Sequence, residues 1–92
     1  MKYFRIQVAG KHIIVAAIGV TIENGHARIY TTSVGAPRLL NIILAGVHAY
    51  EPQIEVVQSE KKDLAYLQFF RNDNYPLSIE EVTVTSVIPS IT

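Results

Sequence analysis

"HIIVAAIGVTI", residues 12–22, is the stretch whose reading decides the fold. It is apolar on both sides of an extended chain and rich in β-branched residues, as expected of a strand covered on both faces. Ile14, Ala16, Ile18, Val20 and Ile22 share one face. Ile13, Val15, Ala17, Gly19 and Thr21 share the other. Strands expose alternate side chains to opposite faces, so a single layer of protein behind this strand leaves one set to be covered by something else.

The neighbours on both sides read as strands. Before it, Phe4, Ile6 and Val8 alternate with more polar positions over residues 2–8, and Ala9-Gly10-Lys11 supplies a tight turn. After it, "ENG" at 23–25 carries Asn-Gly, the strongest short hairpin signal. His26–Thr32 then returns as a third strand. The first third is expected to be a three-stranded meander.

Further along, "GAPRLLNIILAGVHAY" (35–50) changes period. Pro37 suits the first turn of a helix, where its missing N–H costs nothing. Leu39, Leu40, Ile43, Leu44, Val47 and Tyr50 form a core-facing stripe. Arg38, Asn41, Ala45, His48 and Ala49 lie on the other side, with Ile42 at the boundary. Glu51-Pro52 ends the helix, because a residue preceding proline avoids the α region. Three more strands are expected, at 53–58, 64–71 and 79–88, joined by the charged "SEKKD" (59–63) and the turn-rich "RNDNYP" (71–76). The predicted fold is α+β: an antiparallel sheet or small β-barrel of six strands with one helix, in the order βββ-α-βββ, as a single domain over residues 1–92.

Composition narrows the function classes. Hydrophobic residues make up 49% of the 92 and charged residues only 17%, below the ~25% usual for soluble domains. Disorder is thereby excluded, and part of the surface is expected to meet protein. Eight basic residues balance eight acidic ones. Without a basic excess or stripe, nucleic acid is not an expected partner. The chain has no cysteine, hence no disulfide framework or thiolate zinc site. Its longest apolar run, 13–20, is about half of what a membrane-spanning helix needs, and the amino terminus has no signal-peptide h-region. Expected locations are the cytoplasm, or a virion or secretion assembly reached without a signal peptide.

No catalytic or ligand motif emerges. His12, His26 and His48 have no second ligand at a spacing that focuses on one point, and read as surface or edge histidines. "NDN" at 72–74 lacks the glycine and distal glutamate of a calcium loop. Glu80 and Glu81, adjacent on a strand, point to opposite faces. "SVG" at 33–35 lacks the leading glycine of a nucleophile elbow. Tyr66, Phe69 and Phe70 beside Arg71 could form a stacking platform, but neutral charge favours core packing. The expectation is a non-enzymatic protein with no cofactor, no metal and no small-molecule substrate.

The surplus of apolar surface points instead to association. Ile42, Ala45 and Ala49 on the helix, with Ile13, Val15 and Ala17 on the second strand, are the candidate interface residues of a homo-oligomer or a protein partner. The alternative is a small phage- or host-encoded binding or inhibitor protein acting through an exposed strand edge or the charged loops 60–63 and 71–74.

Residues 27–58, with the helix pattern P-x-L-L-x-x-x-L-A-x-G, and residues 64–90, ending T-S-V-x-P, together resemble the hemolysin-coregulated tube protein of type VI secretion and, more remotely, phage tail-tube proteins. Pro37, Leu39, Leu40, Leu44, Ala45 and Gly46 carry the resemblance on the helix. Val84, Ser86, Val87 and Pro89 carry it on the last strand. The resemblance implies a β-barrel with a packed helix that stacks into rings and serves a structural role. This chain is shorter than that family and has no long extended loop between its early strands.

Overall fold

The computed structural model describes residues 1–8, 10–24, 26–47, 54–71, 73–74 and 76–83. Its elements are β1 (Lys2–Val8), β2 (Lys11–Ala17), β3 (Gly19–Glu23), β4 (His26–Thr32), α1 (Ala36–Val47), β5 (Ile54–Gln58), β6 (Leu64–Phe69) and β7 (Leu77–Val82). The class is α+β as expected, with seven strands among the described residues where about six were expected. They form two antiparallel sheets, β2-β1-β7 and β3-β4-β6-β5, that do not close into a barrel.

The extra strand comes from residues 12–22. This run is not one strand but two, broken by a bend at Ile18, whose N–H donates to the Tyr30 carbonyl at 2.8 Å. The bend carries the chain from one sheet to the other, so the expected meander does not form: β2 pairs with β1, and β3 with β4. It also reverses which parity faces inward. Val15 and Ala17 are core residues and Ile13 packs on the core; beyond the bend Val20, opposite buried Ile29, takes over that side.

Local chemistry fixes each connection. Gly10, at φ 88°, turns β1 into β2 across a two-residue loop, a left-handed conformation that glycine adopts without penalty. Asn24 sits at φ 51° in the β3–β4 hairpin, where Glu23 faces His26, as a primed turn requires. In the β5–β6 loop Asp63 is left-handed too. There the Ser59 N–H donates to the Leu64 carbonyl at 2.9 Å, and Gln58 Nε2 donates to the same oxygen at 2.8 Å. The Gly35 N–H donates to Thr32 Oγ1 at 3.0 Å, and its carbonyl accepts from the Leu39 N–H at 3.0 Å, starting the helix. The Ser33 N–H donates to the Asp63 carbonyl at 3.0 Å, tying that corner to the β5–β6 loop.

Helix α1 has no acidic residue in its first turn and no basic residue in its last, so packing holds it rather than its dipole. It buries Ala36, Leu39, Ile43 and Val47, with Leu40 half-buried beside them. Tyr50 and Glu51-Pro52 lie outside the described residues, as does the predicted run of the last strand beyond residue 83. The core joins this stripe to Phe4, Ile6 and Val8 of β1, Ala27 and Ile29 of β4, and Ala65, Leu67 and Phe69 of β6. No helix among the described residues is long and apolar enough to cross a membrane.

Candidate interaction surface

The outer face of the three-stranded sheet follows from its register. Phe4 pairs with Val15 and Ile6 with Ile13 on the inner side, which leaves Tyr3 beside Ala16 and Arg5 beside Ile14 on the outer side. Val82 and Glu80 of β7 complete these two rows. One row, Ala16–Tyr3–Val82, is largely apolar. In the other, Arg5 Nη1 donates to Glu80 Oε1 at 3.0 Å, so the charges cancel within the face. Glu81, on the opposite face from Glu80, lies 4.0 Å from Lys2 Nζ.

Three exposed apolar side chains meet beside this face: Ile14, 46% exposed, Ile42 of α1, 41%, and Met1. Tyr3, Ile18, Ile22, Val34 and Val56 are the other exposed large apolar side chains among the described residues. A groove of about 400 Å³ joins β2 and α1, lined by Met1, Ile14, Ala16, Arg38, Leu39 and Ile42. An apolar centre beside polar and charged groups, Arg38 among them, is the anatomy of a protein contact.

The predicted interface residues divide. Ile42 lines this groove and Ala45 is exposed on the helix. Ala49 lies outside the described residues. Val15 (4% exposed) and Ala17 (0%) are in the core, and Ile13 is wedged against Gly46 of the helix. The assignment of the odd-numbered face of β2 to the outside is therefore corrected: that face meets α1, and the even-numbered residues Ile14 and Ala16, with Ile18 at the corner, face out. Parity arithmetic was the missing signal. A two-residue turn at 9–10 makes partners sum to 19, so an inward Phe4 and Ile6 require inward Val15 and Ile13.

A second feature lies on the outer face of the four-stranded sheet. Tyr30 of β4 faces Tyr66 of β6 across the register, with ring centroids 5.4 Å apart. The Arg28 guanidinium sits 4.8 Å from the Tyr66 ring centroid. Hydrogen bonding with Tyr30, then the electrostatic influence of Tyr66, push the Arg28 pKa above its ordinary value, so it stays cationic. Thr21, Glu23, Asn24, His26, Arg28 and Gln68 line a small cleft beside these rings. His26 meets the Phe70 ring edge-on at 5.8 Å, while its Nδ1 is buried without a hydrogen-bond partner. Of Tyr66, Phe69 and Phe70, of which at least one was expected in the core, Phe69 is buried there, while Tyr66 and Phe70 are half-buried on the other face. Among the described residues no group of three or more His, Asp or Glu could hold a metal. His12 is exposed on β2 and His48 lies outside the described residues. Asp73 of the 71–76 loop pairs with Arg71 at 2.9 Å.

In comparisons with known proteins no family model matches the chain, and neither a curated protein nor a solved structure matches it significantly.

Proposed function

We propose that this chain is a non-enzymatic structural subunit that assembles with copies of itself through the surface around Ile14 and Ile42. The observation that carries the reading is the groove between β2 and α1, where two large aliphatic side chains stand more than two-fifths exposed. A contiguous apolar surface of this kind on a small domain marks a contact site. A second copy is the occupant that the charges favour. The protein has no formal net charge, so no overall charge repulsion keeps copies apart, and the Arg5–Glu80 pair balances its own charges beside the groove, which Arg38 also lines. The resemblance to secretion-tube and phage tail-tube proteins supports the same structural role.

Light scattering coupled to size-exclusion chromatography, over a wide concentration range, tests this. A mass above the monomer that falls on Ile42→Glu or Ile14→Glu is the expected result. A strict monomer at every concentration refutes self-assembly and directs the patch to a different protein partner, the inhibitor-type reading.

A further inference from the structure

The cleft on the outer face of the four-stranded sheet is independent of the assembly surface and has its own chemistry. Three strands build it: Thr21 and Glu23 come from β3, His26 and Arg28 from β4, Gln68 from β6, and Asn24 from the β3–β4 turn. Its volume, about 170 Å³, is well below the ~300–1,000 Å³ of pockets that enclose drug-sized ligands. One small ring fits it.

The side chains present an even mixture of donors and acceptors. Arg28 offers only N–H donors and Glu23 only acceptors, while Asn24, Gln68 and Thr21 offer both. Arg28 and Glu23 line the same cleft, yet the ion pairs among the described residues are Lys2–Glu81, Arg5–Glu80 and Arg71–Asp73. Arg28 spends part of its N–H donors on Tyr30, and neither it nor Glu23 is tied up in an ion pair with the other. Tyr66 lies beneath Arg28 and Phe70 packs against His26, so these rings support the lining side chains from behind and do not themselves line the cleft.

The charges then choose among ligands. Arg28 stands against Glu23 and Glu55 on this face, so a phosphate backbone gains nothing from electrostatics here. A neutral ligand that needs donors and acceptors in close alternation suits the cleft. A sugar ring supplies them, as vicinal hydroxyls that meet the planar Arg, Glu, Gln and Asn groups. We infer that the Thr21–Arg28–Gln68 cleft binds a single neutral sugar residue, free or at the end of a glycan.

The test is a titration of the intact, 15N-labelled protein with methyl glucoside, methyl galactoside and N-acetylglucosamine, each in turn, followed by amide NMR. An eight-residue oligothymidylate serves as the polyanion control. The expected result is saturable shifts at Thr21, Asn24, His26, Arg28 and Gln68 with one of the sugars and none with the oligonucleotide. Gln68→Ala and Arg28→Gln should each weaken that binding about tenfold, the loss of about one hydrogen bond, while preserving the dispersion of the spectrum. Absence of shifts with all three sugars overturns the inference. So do shifts confined to other residues, binding that both variants retain, or a response to the oligonucleotide alone.

Discussion

Gly46 lies directly against Ile13: a Cβ built on the glycine would sit 2.8 Å from Ile13 Cδ1 and 3.0 Å from its Cβ. The absence of a side chain at this one helical position sets how closely α1 rides on β2.

Replacing that glycine opposes two effects. Gly46→Ala gains about 1 kcal/mol of helix propensity, but overpacking a close contact typically costs ~1–3 kcal/mol. Because the 3.0 Å approach involves the branched Cβ as well as the mobile end of Ile13, the clash should prevail and leave a net loss of about 1 kcal/mol. Chemical denaturation of Gly46→Ala, Ile13→Ala and the double variant checks this. The expected cycle is non-additive, with the shortened Ile13 relieving part of the alanine's penalty; strict additivity would contradict the contact.

The inward and outward faces of β2 predict opposite fates for adjacent residues. Val15→Asp places an unpaired carboxylate in the core and should cost at least ~3–5 kcal/mol, a large share of the ~5–15 kcal/mol that holds a small domain folded. Ile14→Asp falls on the exposed face and should shift stability by less than about 1 kcal/mol. Thermal melts by circular dichroism read both. Equal destabilisation would mean that the register is wrong.

Apolar association responds to salt in a particular direction. If copies meet through Ile14 and Ile42, sulfate should strengthen the assembly, since excluded salts favour apolar burial, whereas dilute sodium chloride should scarcely change it. Ile42→Glu should reduce the scattering mass to that of the monomer while moving the melting midpoint little. Dissociation by moderate sodium chloride would instead indicate a charged contact.

Two left-handed residues predict a stabilising route. Non-glycine side chains in this region carry a penalty of roughly 1–2 kcal/mol, eased for Asn and Asp. Asp63→Gly should therefore be neutral or slightly stabilising, and Asp63→Val distinctly destabilising; Asn24→Ala should lose about 1 kcal/mol. Urea midpoints measured for the three variants decide it.

Much of this architecture was legible because several signals are local. Asn24 needed only its neighbour Gly25 to announce a hairpin, and Ala36, Leu39, Ile43 and Val47 repeat at helical spacing whatever lies around them. The parity of β2 was harder. Ile13 and Ile14, or Val15 and Ala16, are nearly equivalent in hydrophobicity, so composition could not say which of each pair points inward. That information lay in a different strand, through the pairing imposed by the turn at Gly10. The bend at Ile18 hid for the same reason: Gly19 was its only local trace in an otherwise unbroken apolar run. The cleft around Arg28 gave no motif, because its members are spread over β3, β4 and β6 and meet only through the register.

That bend has a mechanical meaning. At Ile18 the two sheets are joined by continuous backbone with no loop between them, whereas β5 and β7, on the far edges, share no ladder. The molecule is thus built like a book, its spine at residues 17–19 and its fore-edge between β5 and β7. Helix α1 lies against both covers, touching β2 on one and β5 and β6 on the other, so the surface around Ile14 and Ile42 stands where the two covers are tied together.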